Sequence, residues 1–319
     1  MRVSVVVCEH SLDRYADVRE AAESVLGQTH DDVELVLVSD GNAVVCERFR
    51  EGYGDREDVV IHCNDSNVGL LESRNNGARA ASGDVVAFLD DDAVADERWL
   101  ERLVAVYEER DVPAVGGRIV GEWVAGRPVF LPAEFYFLVG VTHRGFGPGG
   151  DPDAAGEVRN TNGSNLSFRR EVFLDLGGFD TDIGGRTGDS NLQGGETELC
   201  ARLRAASGHG VYYVPDATVG HKVFEYRTDL RWLLDRAFWQ GYSKRGMELL
   251  VPDSTGEESA FLKRLLVEFF PDRVASAVRR PSRERVAKAV MLVVFTAAVG
   301  FGYGYGLLKY NALTGGPGE

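Results

Sequence analysis

Apolar residues in this chain come in two textures. Short unbroken runs, rich in β-branched residues, occur at Arg2–Cys8 (RVSVVVC), Val33–Val38 (VELVLV), Val59–Cys63 (VVIHC) and within Asp84–Leu89 (DVVAFL). Runs of this length and make-up predict buried strands. Between them the apolar positions spread to helical spacing. Tyr15–Leu26 carries Val18, Ala21, Ala22, Val25 and Leu26 on one stripe and stops at Gly27. Val44–Tyr53 and Glu72–Ala81 read the same way, the latter ended by Ser82-Gly83. Alternating strands and helices predict a parallel sheet whose chemistry sits at the strand C-termini. A further helix is expected from Asp96 as N-cap, with Trp99, Leu100, Leu103, Val104 and Tyr107 inward, stopping before Pro113.

From Ala114 the pattern loosens. Ala114–Val124 and Arg127–Leu131 read as strands around a turn, and Gly145–Gly156 as a flexible loop. Asn160–Arg169 (NTNGSNLSFR) sets amides and hydroxyls ahead of a short apolar stretch, and Glu171–Leu176 is helical. Gly184–Gly195 reads as a mobile loop that delivers Glu196-Thr197-Glu198 onto a helix, Leu199–Ala206. Val211–Val214 is a late strand, followed by Val219-Gly220-His221. Leu230–Trp239 is aromatic, and Phe261–Phe270 (FLKRLLVEFF) is amphipathic.

Ala289–Leu308 then runs without a charged side chain, behind Arg283, Arg285 and Lys288. A membrane span needs about 20 apolar residues, so this run is long enough to cross. Gly300, Gly302, Gly304 and Gly306 give it small-xxx-small spacing for helix contacts. They equally fit a glycine-rich helix packed on the rest of the chain. The expected organisation is 1–224 as the principal domain, 225–285 as an amphipathic and aromatic helical region, and 286–310 as a membrane-directed segment.

Composition changes this picture in two ways. The 319 residues carry a net charge of −15, with only five lysines among 35 basic residues. An acidic, lysine-poor surface suits a halophile, where salt screens self-repulsion, and argues against nucleic acid as a partner. The four cysteines, Cys8, Cys46, Cys63 and Cys200, show no metal-type spacing. With Arg2 leading straight into a strand, the expectation is reduced thiols and a cytosolic catalytic region.

The candidate chemistry begins where the strand within Asp84–Leu89 runs into Asp90-Asp91-Asp92. Three carboxylates cannot be buried together without a partner, because they repel and each loses hydration. Asp90 and Asp92, at i and i+2 of an extended segment, point the same way and can share one Mn²⁺ or Mg²⁺. A plain acidic loop after a strand is the alternative. A metal at strand exits of an α/β sheet usually holds phosphates. Transfer of a diphosphate-linked group then needs a base, and Glu196 or Glu198, at the end of a glycine-rich approach, could supply it. A solvated glutamate pair in a first helical turn is the bland reading.

Five ordered pieces resemble the inverting family-two glycosyltransferases of GT-A fold. They are VSVVVCEHSLDRYADVREAAESVLGQT, VLVSDGN, NVGLLESRNNGARAASGDVVAFLDDD, NGSNLSFRREVFLDLGGFD and GGETELCARLRAA. The resemblance implies an α/β GT-A-like fold, a mixed and mostly parallel sheet between helices, with a C-terminal helical membrane-directed segment. It makes Asp90 and Asp92 the metal ligands, with Asp91 beside them on the donor diphosphate. It places Asp40 at the nucleobase-reading position, Arg74-Asn75 beside the diphosphate, and Cys8 and His10 on the first donor loop. There the sequence departs from the family: Cys8-Glu9-His10-Ser11 stands where a small residue and Tyr-Asn are usual, and His10 would stack on the base. His221 falls where relatives place a further metal or phosphate contact; a structural histidine is the alternative. Glu196 stands in register with the family's catalytic Asp, its extra methylene shifting the carboxylate by about 1.5 Å, and Glu198 is the runner-up.

The N-terminal pieces and the acidic composition also resemble haloarchaeal enzymes that build N-glycans on dolichyl phosphate. What this implies is transfer of a sugar, glucuronic acid among the candidates, from a UDP-sugar to a dolichyl-phosphate-linked saccharide for S-layer protein N-glycosylation. The enzyme would sit at the cell membrane with its catalytic domain on the cytoplasmic face. The competing readings are a polyisoprenyl-phosphate monosaccharide synthase, a nucleotidyltransferase, and a non-catalytic sugar-binding membrane scaffold.

Overall fold

The structure is a computed structural model that describes residues 1–183, 185–187, 190–251 and 256–314, with 185–187, 190, 256, 257 and 311–314 in backbone only. The strands are β1 (Val3–Glu9), β2 (Val33–Ser39), β3 (Val59–Cys63), β4 (Val85–Leu89), β5 (Ala93–Ala95), β6 (Ala114–Trp123), β7 (Gly156–Val158), β8 (Leu166–Arg169), β9 (Gly185–Thr187), β10 (Ser190–Leu192) and β11 (Val211–Val223). The α-helices are α1 (Tyr15–Leu26), α2 (Ala43–Tyr53), α3 (Leu70–Ala80), α4 (Trp99–Glu109), α5 (Arg170–Asp175), α6 (Gly195–Ser207), α7 (Leu230–Leu250), α8 (Gly256–Arg264), α9 (Phe270–Arg279) and α10 (Arg283–Thr314).

Among the described residues one mixed sheet has the order β3-β2-β1-β4-β8-β6-β11-β5, with β7 on β11. β3, β2, β1 and β4 pair in parallel. The chain moves outward from β1 to β3, then returns to place β4 on the other side of β1. That reversal opens a crevice between the C-terminal ends of β1 and β4, where α/β sheets bind ligands. β8 runs antiparallel to β4, pairing Leu166 with Phe88. The residues just before β8, Asn162 to Asn165, therefore lie beside the end of β4. β11 pairs antiparallel with β5, His221 facing Ala93, which carries His221 to the carboxylates.

The chain divides into two compact units. One comprises 1–121, 153–182 and 195–222; the other comprises 122–152, 183–194 and the residues from 223 on. The core of the first is the inward face of β1, β2 and β4 against α1 and α4, with Val5, Val7, Leu35, Leu37, Trp99 and Leu100 fully buried. The core of the second gathers Leu131, Phe135, Leu233, Phe269, Leu292 and Phe295. Within it α7 and α10 touch backbone to backbone. A Cβ on Gly241 would stand 1.9 Å from the Val299 carbonyl oxygen, and one on Gly302 would stand 1.8 Å from that of Phe238. Only glycine permits this approach. Arg283–Tyr310 is long and apolar enough to cross a membrane by length and composition.

Several sequence expectations give way here. Arg127–Leu131 forms no strand; β6 ends at Trp123 and a turn follows. The predicted Gly184–Gly195 loop contains an antiparallel hairpin, β9 on β10; its Gly184, Gly188 and Asp189 lie outside the described residues. Val211–Val214 and Val219–His221 belong to one continuous strand, held by different partners along its length. The fourth helix begins at Trp99 rather than at Asp96, whose carboxylate instead accepts the Arg98 amide at 3.1 Å. Finally, not all four thiols are reduced. α2 packs on β3 and brings Cys46 and Cys63 into a disulfide, while Cys8 and Cys200 remain free.

Candidate active site

The carboxylates emerge at the end of β4 as the run predicts. One ligand atom each from Asp90, Asp92 and His221 lies within 4.8 Å of the others. His221 Nε2 is 3.3 Å from Asp92 Oδ1, and both residues are buried. Two carboxylates and an imidazole so grouped form an oxygen-rich donor set that fits a divalent cation. Arg14, just before α1, balances the charge: its Nη1 is 3.1 Å from Asp92 and 3.6 Å from Asp91. Burial, then Asp92, Asp90 and Glu9, push the Asp91 carboxyl up to about 8, with Arg14 pulling the other way. A cation there would reverse this by favouring the ionised form.

Arg74 ties this cluster to α6. It is buried on α3, its guanidinium between the Phe88 and Phe179 rings at 5.8 and 5.7 Å. Nη2 donates to Asp90 Oδ1 at 2.6 Å, and Nη1 donates to Glu196 Oε1 at 3.3 Å. Glu196, in the first turn of α6, thus joins the carboxylate cluster through one cation. Glu198 does not. It is buried and accepts Arg202 Nε and Nη2, both at 2.6 Å, an i,i+4 pair that also anchors Arg202 to the Gly178 carbonyl at 2.7 Å.

The remaining predicted positions lie on β1 and the loop after it, at the end of β2, and on α3. Asp40, at the end of β2, is buried and accepts the Val68 and Gly69 amides at 2.8 and 3.0 Å, so it shapes the turn before α3. Asn75 pairs with the Phe179 backbone in both directions, at 2.9 and 2.8 Å. Its amide thereby fixes the segment behind Arg74. Burial pushes the Cys8 thiol up to about 12, with Arg74 working against it, which keeps it neutral at physiological pH. The His10 ring is exposed at the loop after β1, whose amide nitrogens at His10 and Ser11 both donate to Glu9 Oε1 at 2.7 Å.

Three contributors escape sequence reasoning. Arg14 sits in an unremarkable helix approach. Ser164 accepts the Asp90 amide at 3.2 Å. Gly163 lies directly under the Arg74–Glu196 contact: a Cβ there would stand 2.4 Å from both Arg74 Nη1 and Glu196 Oε1. The NGSN stretch signals the last two by composition, but not their neighbours. Gly163→Ala is expected to push Glu196 off Arg74 and cut turnover at least about tenfold, since small misplacements cost this much. A melting temperature within a few degrees of wild type, measured alongside, checks that the loss is local.

A mixed sheet with a carboxylate-lined crevice at its switch point is the GT-A architecture, and solved structures share it. One is the Pyrobaculum calidifontis mannosyltransferase in complex with GDP-Man and Mn²⁺, with TM-score 0.57 and 18% identity over 94% of this chain and 87% of that one. Another is S. aureus TarS 1–349 with UDP-GlcNAc, with TM-score 0.54 and 15% identity over 94% and 82%. Residues 4–177 match the model of glycosyl transferase family 2, and the chain belongs to that family. It is 50% identical over 312 residues, 98% of both chains, to the glucosyl-dolichyl phosphate glucuronosyltransferase of Haloferax volcanii.

Proposed function

We propose that this glycosyltransferase moves a hexuronic acid, glucuronic acid first among candidates, from its UDP-sugar to a dolichyl-phosphate-linked saccharide at the cytoplasmic face of the membrane. Attack from the side opposite the diphosphate would invert the anomeric centre, and the product would enter S-layer protein N-glycosylation. The observation that carries the catalytic part is the division between the two glutamates: Glu196 joins Asp90 through Arg74, whereas Glu198 is locked onto Arg202. The likeness to the Haloferax volcanii enzyme over nearly the whole chain supports the substrate class.

Asp90, Asp92 and His221 would hold Mn²⁺ or Mg²⁺. When bound, such an ion neutralises charge on the departing nucleoside diphosphate. Arg74 adds a fixed positive charge beside the same group. Asp40 holds the turn into α3, with His10 exposed on the neighbouring loop for the nucleobase. Glu196 accepts the proton of the acceptor hydroxyl as its oxygen bonds the anomeric carbon and the sugar–diphosphate bond breaks. Arg74, 3.3 Å from Glu196 Oε1, orients that carboxylate. Cys8, neutral and half-buried, lines the donor loop without reacting.

The test is a donor screen on the purified full chain. UDP-glucuronic acid, UDP-glucose and GDP-mannose are offered with glucosyl-phosphodolichol and with dolichyl phosphate, and products are read by mass spectrometry. Hexuronosyl addition to the glycolipid is expected. Transfer to dolichyl phosphate itself would instead make the protein a monosaccharide synthase.

A further inference from the structure

The C-terminal unit carries apolar surface that the reaction leaves unused. Phe270, Val274 and Val278 stand at i, i+4 and i+8 on one side of α9, and no residue of that helix is buried. They are 37, 40 and 75% exposed, and Leu266 and Val267 in the preceding turn are 57 and 71% exposed. The other side of this segment faces inward, where Leu265 and Phe269 join the core. α10 is two-sided as well. Leu292 and Phe295 are fully buried, whereas Val290, Val293, Phe301 and Leu308 are exposed.

A lipid surface fits both faces, and the charge agrees. Between 263 and 288 there are eight basic and three acidic side chains, a net of +5 in a chain of −15. Basic side chains beside an apolar helical face favour an anionic leaflet. The orientation of α10 is decided by α7. Phe238 meets Gly302, Tyr242 meets Gly306 and Gly246 meets Tyr310, so the two helices run side by side in the same direction. The Tyr303 hydroxyl donates to Glu248 at 2.7 Å, and Glu248 pairs with Arg245 at 3.0 Å. α7 also carries Arg231, Asp235, Arg236 and Lys244. Each charge at bilayer depth is costly, so α10 cannot cross the hydrocarbon while α7 stays docked along it.

We propose that the C-terminal unit is a monotopic platform: α9 and the outer flank of α10 lie in one anionic leaflet, with α7 on the aqueous side. This rests on the lipid-linked acceptor proposed above, since it brings the enzyme to the leaflet that holds such an acceptor. The test uses full-length protein in the membranes of expressing cells, with an epitope tag fused after Glu319. A membrane-impermeant maleimide is applied to Glu108→Cys, Ser276→Cys, Val274→Cys, Val278→Cys and Phe301→Cys variants, before and after lysis, with labelled peptides located by mass spectrometry. Tag and Glu108→Cys should be reached from the same side. Val278→Cys and Phe301→Cys should label at least about tenfold more slowly than Ser276→Cys; Val274→Cys repeats the α9 reading should Val278→Cys express poorly. A tag reached only from the side opposite Glu108→Cys would overturn the platform while leaving the transfer reaction intact. Equal labelling at all C-terminal positions would overturn the lipid face itself, whatever the donor screen shows.

Discussion

Asp92→Ala is expected to weaken metal-dependent binding of the donor by about 100-fold or more, and to do so without unfolding the protein. Asp92 is the most enclosed of the three carboxylates and the one His221 approaches. If Asp92 ligates the ion as proposed, removing it takes away a ligand and the partner that orients His221, and partner losses around metal sites alone cost roughly 10–100-fold. Asp92→Asn keeps the volume and an acceptor oxygen but not the charge, so it should fail in the same direction. Chelation of wild type should reproduce the defect and added Mn²⁺ should reverse it, whereas neither should move the variants. Titration calorimetry with the UDP-sugar in saturating Mn²⁺ reads the result. Unchanged donor affinity in Asp92→Ala would remove the carboxylate group from the donor site.

The parallel half of the sheet was open to reading because its residues report their environment locally. β3 and α1 fall where their apolar patterns put them, to the residue, β2 runs one residue further at its C-terminal end, and β1 begins and ends one residue later. A strand covered on both faces must be apolar throughout, so its limits are written in its own composition. The antiparallel half was harder. β11 is a single strand because β7 and β5 meet different stretches of it, and no local pattern encodes that. The candidate site divides in the same way. Asp90 and Asp92 announce themselves by spacing, and Glu196 by register with a family. Arg14 and Gly163 do not, since each matters through a residue more than 30 positions away. The Cys46–Cys63 bond is likewise a product of α2 folding onto β3. Along the C-terminal run, hydropathy alone could not reveal that a charged helix lies against it.

Glu196→Gln is expected to lower turnover by roughly 10²–10⁴ with donor affinity retained, the loss that follows when a general base can no longer take a proton. The glutamine still fills the space above Gly163 and can still accept from Arg74, so geometry is preserved and the chemical step is isolated. Glu198→Gln should behave differently. Its carboxylate makes the paired contacts to Arg202 that fasten α6 to the Gly178 turn. Losing the charge leaves a partly buried guanidinium poorly matched, and breaking a buried pair is destabilising. The two variants therefore separate by readout. Glu196→Gln should keep its melting temperature and bind UDP-sugar while single-turnover transfer slows. Glu198→Gln should melt earlier and lose activity only in proportion to the protein unfolded. If Glu198→Gln proves stable and inactive while Glu196→Gln turns over normally, the base lies two residues further along α6, and the Arg74 contact serves only to position the helix.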